Sequence, residues 1–231
     1  MALTQTQIDN NKAEFLSLIE RLSATRGNAF DNWDGLVDYL KDSDFFIAPA
    51  SSTFHNNYEG GLCEHCLNVY HSMVNMSNMY YTTTNNMPSY TWESLAIVSL
   101  FHDISKINQY EKQFRNVKEY WDGNDATRTL YTKSDEGGAF RWTTKSSYGK
   151  KALKDSYTYG SHEESSVFIL QEYIKLNKME IQAILQHSGQ FSQNFNQSKE
   201  LTYCFTNNML ACMLHLADSY SSFVLEETVD E

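Results

Sequence analysis

Apolar residues recur through most of this 231-residue chain at helical spacing, and that recurrence constrains the fold more than any other feature. Ile8, Phe15, Leu16, Ile19 and Leu22 form one stripe over 5–24, and Gly27 supplies a stop. Trp33, Leu36, Val37 and Leu40 form a second over 29–41, after which Pro49 and Ser51-Ser52 mark a connection. Leu62, His65, Cys66, Val69, Met73 and Met76 share a face over 61–80. Leu95, Ile97, Val98 and Leu100 read as buried in a helix over 91–106, and further helices are expected over 161–175, 178–187 and 206–224. The length suits a substantial core, and 13 Phe, 15 Tyr and 4 Trp are too many for a chain that never packs. The expectation is one all-α domain over 1–231, with N-terminal helices in 1–48 and the functional core in 50–222.

One segment breaks the helical rhythm. Residues 121–158 hold Gly123, Gly137-Gly138 and Gly149, with the run Ala139-Phe140-Arg141-Trp142-Thr143-Thr144 after the glycine pair. Aromatic and β-branched residues following a turn signal predict a short hairpin or structured loop. Irregular stretches of this length in compact domains often serve as lids, so a lid or pocket wall is expected here.

The charge is -11, from 18 Lys and Arg against 29 Asp and Glu, and a generic nucleic-acid binder needs a basic stripe instead. A small anionic substrate is still allowed, because a metal ion inverts the local field. The N-terminal residues lack the charged and apolar regions of a signal peptide, and the apolar stretch Leu95 to Phe101 is far short of the roughly 20 residues that span a bilayer. Cys63 and Cys66 form a lone CxxC inside a helical pattern, where free cysteine behaves as a small hydrophobe; Cys204 and Cys212 are the others. Together these features point to a reduced, cytoplasmic protein.

The seven histidines carry the chemical signal. An apolar helix has no packing reason to end in His102-Asp103-Ile104-Ser105-Lys106. Adjacent imidazole and carboxylate can reach one ion from a helix end, and that pair suits Mn, Fe, Co, Ni or Zn rather than a soft thiolate metal. His65 lies on the inward face of its helix, His162 follows Gly160-Ser161 at a helix start, and His187 ends Ile184-Leu185-Gln186. Asp218 is a carboxylate in an apolar helix, where an unpaired charge costs several kcal/mol, so a cationic partner is expected.

In this order the residues resemble the HD-domain superfamily of metal-dependent phosphohydrolases: a His, a His-Asp pair, two intervening histidines in a binuclear subgroup, and a distant Asp. The match is His65, His102-Asp103, His162, His187 and Asp218, spread over 50–222. The stretch from Phe54-His55 to Gly60-Gly61-Leu62-Cys63-Glu64-His65 is similar to the exoribonuclease-type branch, and Ser105 replaces the Gly of the usual His-Asp-Ile-Gly-Lys. The resemblance implies a helical HD bundle with one or two divalent metals per chain, Mg included among the candidates. His65, His102, Asp103 and Asp218 would hold the first metal, and Asp103 would bridge to a second held by His162 and His187. Some relatives carry a His pair where this chain has His187-Ser188.

The reaction so implied is attack of a metal-activated hydroxide on phosphorus. Asp103, Lys106 and His55 would be the catalytic group: Lys106 would neutralise a phosphate oxygen, and His55 would protonate a leaving group or contact substrate. Lys106 alternatively reads as a solvated helix-end cation, and His55 as a turn residue. Arg115, Arg141, Trp142 and Lys145 combine cation and ring as a nucleotide requires, and His215, one turn before Asp218, would line the pocket or support a ligand. His71 reads as a surface residue. A small phosphorylated substrate, foremost a nucleotide, is thus preferred. The alternatives are a 3′-to-5′ exonuclease, a mixed-valent di-iron oxygenase on the same ligands, and an inert regulatory module. Long nucleic acid ranks lower on charge, and no membrane partner is expected.

Overall fold

The computed structural model describes residues 2–27, 29–152, 160–189 and 198–227. Eight α-helices are described: α1 (Gln5–Thr25), α2 (Trp33–Asp42), α3 (Gly61–Thr84), α4 (Trp92–Phe101), α5 (His162–Gln171), α6 (Lys178–Gln186), α7 (Ser198–Asn207) and α8 (Met209–Tyr220). Three strands stand between α4 and α5: β1 (Tyr110–Tyr120), β2 (Lys133–Asp135) and β3 (Gly138–Lys150). Among the described residues no helix is long and apolar enough to cross a membrane.

The helices bury the stripes that the sequence announces. Phe15, Ile19 and Leu22 of α1 meet Leu36 and Leu40 of α2, Phe45, and Phe101 of α4 in one core cluster. Phe15 sits 4.9 Å from Phe45 and 5.7 Å edge-on from Phe101, ring to ring. α3 packs on α4 and α8, and α6 packs on α4 and α8, so α4 is enclosed and its residues from Ser94 to Phe101 are all buried. Cys63 and Cys66 are free thiols in this core. A buried ion-pair network ties α1 to α6: Arg26 Nη1 and Nη2 donate to Glu180 Oε1 and Oε2 at 2.8 and 2.9 Å, and Ser94 Oγ donates to the same carboxylate at 2.8 Å. A bidentate arrangement satisfies both oxygens, which is the condition under which a buried pair holds together.

The all-α expectation fails. The chain is mixed, because an antiparallel sheet ordered β1-β3-β2 occupies the region after α4. Residues Tyr110 to Tyr120 pair one-for-one with Lys150 to Phe140, giving a long two-stranded ribbon, and β2 adds three residues at one end. The insertion therefore begins at Tyr110 and not near 121. β1 lacks an alternating apolar face, since all but Tyr110 of its residues are exposed or half-buried. Backbone pairing with residues 20 to 40 positions away replaces that local signal. Residues 153–158 of the expected segment lie outside the described residues. The helix expected over 91–106 ends at Phe101, and the one expected over 206–224 is broken at Asn208, which caps α8 by accepting from Ala211 N. α7 is an additional helix.

Candidate metal centre

The end of α4 forms the middle of the site. His102 caps that end, where a helix leaves carbonyls without intrahelical partners, and its Nδ1 lies 3.0 Å from Ser99 O. His187 does the same at the end of α6, with Nδ1 2.7 Å from Ile184 O. Donation to a carbonyl fixes the proton on Nδ1 and leaves the Nε2 lone pair for another partner. The other two rings are held by carboxylates: His65 Nδ1 lies 3.0 Å from Glu226 Oε1, and His162 Nδ1 lies 3.1 Å from Glu163 Oε2. All four Nε2 atoms are thereby turned toward the interior of one site.

Their convergence is close. His65 Nε2 lies 3.2 Å from His102 Nε2, 3.5 Å from Asp103 Oδ2 and 3.4 Å from Asp218 Oδ1, and His102 Nε2 lies 3.5 Å from Asp103 Oδ2. On the other side of the same carboxylate, His162 Nε2 and His187 Nε2 are 3.3 Å apart and each 3.7 Å from Asp103 Oδ1. Ligand atoms about 2.0–2.2 Å from one ion are separated by distances of this order. Asp103 Oδ1 is buried without a hydrogen-bond partner, because its neighbours are imidazole Nε2 atoms 3.7 Å away that present lone pairs. Lys106 Nζ rests 2.7 Å from Asp103 Oδ2, so an ammonium already sits where the donor set calls for a cation. These buried His and Asp groups could hold a metal ion. The residues present fit one.

The electrostatics follow from this crowding. Burial opposes ionisation of Asp103, but Lys106 and His102 outweigh it and hold the carboxyl well below its usual range. Asp218 is likewise buried yet held down, by His65, His102 and His187. His65 is raised well above its ordinary value: burial disfavours its charge, but Glu226, Asp103 and Asp218 prevail. Burial drops His102 to about 3, with His187 and His65 adding to the fall against Asp103.

The site opens into a cavity of about 450 Å³ lined by Phe54, His55, Asp103, Lys106, His162, His187, Ser188, Asp218, Ser219, Ser222 and Phe223. Lys106 faces it as an ion pair and not as a solvated helix-end cation. His55 faces it too, with its ring 5.0 Å from that of His65, and burial, then His65 and Lys106, push it down to about 4. A neutral His55 suits contact with a ligand better than donation of a proton. The turn that carries His55 explains the glycine pair. Gly60 has φ 83°, and a Cβ on Gly61 would lie 2.1 Å from Asn56 O, so α3 can begin directly beneath that turn only with glycine there. His215 supports the site from outside: its Nδ1 lies 2.7 Å from His187 O, and Gly189 gives its ring room, since a Cβ there would meet it at 2.4 Å. Ser188 Oγ lies 3.3 Å from His162 Nε2. His71 pairs with Glu14 on the surface at 2.8 Å.

The remaining expected substrate contacts are elsewhere. Arg115 and Lys145 oppose each other on the ribbon, Arg141 is tied to Glu119 at 2.7 Å on that same face, and Trp142 projects from the opposite face. None of the described residues lining the cavity comes from the sheet. Two residues that hold these imidazoles escape sequence reasoning, Glu226 and Glu163. Glu163 adjoins His162 and is one of two acidic residues, with Glu164, in the first turn of α5, which is a weak local signal; Glu226 has none. No family model, no curated protein and no solved structure matches this chain.

Proposed function

We propose that the chain is a metal-dependent phosphohydrolase that cleaves a phosphate ester or anhydride of a nucleotide or similar small molecule. One observation carries the reading: Oδ2 of buried Asp103 faces His65 and His102, Oδ1 faces His162 and His187, and Asp218 stands beside His65. These residues would hold one or two divalent cations, and imidazole with carboxylate suits Mn, Fe, Co, Ni or Zn. Such ions supply a Lewis acid and a water nucleophile that ionises near neutral pH. The protein's own part is to place Lys106 beside them as a cation for a phosphate oxygen. His55 and the exposed rings of Phe54 and Phe223 border the cavity where the rest of the substrate would lie. The motif order shared with HD-type phosphohydrolases supports the same reaction class.

The test is phosphate or nucleotide release from nucleoside mono- and triphosphates, cyclic dinucleotides and short RNA, with Mn(II) supplied. Activity on at least one substrate, lost in Asp103→Ala and His102→Ala together with bound metal, is expected. Metal-loaded protein inert on all of them, with oxygen uptake when loaded with iron, would overturn the reading in favour of an oxygenase.

A 3′-to-5′ exonuclease is the second reading, favoured by the ribbon. Residues 110–151 hold nine of the 18 Lys and Arg but only six of the 29 Asp and Glu, so they carry +3 in a chain of -11. One face combines Lys112, Lys118 and Lys150 with Phe114 and Trp142, which are 72% and 51% exposed. Rings interleaved with lysines are what a single strand stacks on. Phe114→Ala with Trp142→Ala separates the readings: it weakens cleavage of RNA if the ribbon guides a strand, and leaves mononucleotide cleavage unchanged.

A further inference from the structure

The β1–β3 ribbon is held at its base by buried Tyr110 and at its far end by buried Phe140 and Tyr131. Between those anchors, residues 111–119 and 141–149 are all exposed or half-buried, so water reaches both faces. A two-stranded ribbon with neither face covered is only marginally stable in water, so a partner on one face would stabilise it. Positive charge is concentrated on the same two strands. β1 and β3 hold six Lys and Arg against two Glu, or +4 in a chain of -11. The intervening residues 121–136 instead carry four acids against two cations.

The register shows how that charge is arranged. On one face Arg115 stands directly across from Lys145, a like-charged pair that is unfavourable unless an anion is near. On the other face Lys112 and Tyr148, then Phe114, then Lys118 and Trp142 follow one another. Lys112 Nζ lies 5.8 Å from the Tyr148 ring centre, and Lys118 Nζ lies 6.0 Å from that of Trp142. Lys112 to Lys118 spans roughly 20 Å, at about 3.3 Å per residue. Lys112 also pairs with Glu59 at 2.8 Å and Lys118 with Asp135, but both pairs are exposed, contribute little, and can exchange their carboxylates for phosphates. Cations alternating with rings along a strand match a polymer in which phosphates alternate with bases. The acid-rich far end disfavours an anionic bilayer, which an apolar tip backed by lysines would enter.

We propose that the β1–β3 ribbon is a binding arm for single-stranded nucleic acid, in which Phe114 and Trp142 stack on bases while Lys112, Lys118 and Lys150 meet phosphates. The arm is separate from the cavity at the metal centre, and it binds a strand whichever reaction that centre performs.

Fluorescence anisotropy tests it, with the full chain titrated into fluorescein-labelled oligothymidylate of about 12 nucleotides, within the usual range of single-strand sites. Saturable binding that weakens between about 50 and 200 mM salt is expected. Phe114→Ala with Trp142→Ala should weaken it at least tenfold. Both side chains are exposed, so the circular dichroism spectrum should not change; if it does, Phe114→Leu with Trp142→Leu carries the test with at least a fivefold loss. Phe114→Tyr with Trp142→Tyr keeps a ring at each position and should bind within threefold of the parent. Lys118→Gln with Lys150→Gln should flatten the slope of log affinity against log salt by about 1.4. Lys41→Gln with Lys199→Gln removes the same charge from α2 and α7 and should leave that slope unchanged. Anisotropy reads binding alone, so a chain that binds the strand and cleaves nothing fails only the reading of the metal centre. Absence of saturable binding, undiminished binding in the ring variants, equal affinity for the same sequence as a duplex, or tighter binding to phosphatidylglycerol vesicles would each overturn the proposal.

Discussion

Replacing Glu226 with Gln isolates the support that the candidate metal ligands receive from outside. Both oxygens of Glu226 lie within 3.1 Å of His65 Nδ1, and Asn68 Nδ2 donates to Oε1 at 3.1 Å. The side chain is nearly fully enclosed, so solvent does little to weaken the contact. Carboxylate behind a metal-binding imidazole raises the basicity of Nε2 and fixes the ring, and losing such a partner costs about 10–100-fold in metal affinity. Glutamine keeps an acceptor for Nδ1–H but removes the charge, which places Glu226→Gln near tenfold, about 1.4 kcal/mol. Glu226→Ala removes both and should approach a hundredfold. The assay is competition of Mn(II) and Zn(II) against a chromophoric chelator, with unfolding midpoints measured on the metal-free proteins as a control. Affinities of both variants within twofold of the parent would refute the argument that Glu226 tunes His65.

Three further outcomes follow from the structure. Metal affinity should rise with pH through the neutral range, because His65 and His187 have raised proton affinity in the metal-free protein and must lose those protons to bind an ion; calorimetry in buffers of differing ionisation enthalpy should register proton release. Glu180→Ala should destabilise the fold by about 2–3 kcal/mol in urea denaturation, since it removes the bidentate partner of the Arg26 guanidinium, which keeps Asp31 and the Lys175 carbonyl. Gly61→Ala should cost more than about 2 kcal/mol, because its Cβ would meet the Asn56 carbonyl, while Gly123→Ala, with open space around it, should show only the smaller penalty of its φ of 91°.

The candidate ligand residues are legible because their chemistry is discordant with their surroundings. His102-Asp103 ends an apolar helix, and Asp218 interrupts another, so each stands out within a window of a few residues. Glu226 does not: it lies 161 positions from His65, and nothing local distinguishes a carboxylate buried against an imidazole from one in water. β1 is missed for a related reason. Its side chains are solvated on both faces, so the period of two is absent, and the strand exists through its partner. The cations placed on that ribbon read as substrate contacts in sequence, yet the ribbon carries them away from the described cavity wall.

The sequence by itself determined most of the helices, though not α7 or the breaks at Phe101 and Asn208, and it singled out the six metal-ligating candidates, because apolar period and misplaced polar groups are written in neighbouring residues. Only the tertiary structure decided that Asp103 faces histidines on both oxygens, that Glu226 and Glu163 orient their histidines, and that β1 extends the expected hairpin into a longer ribbon. Those are relations between residues up to 161 positions apart, set by packing and by the need to partner each buried charge, and no local pattern encodes them.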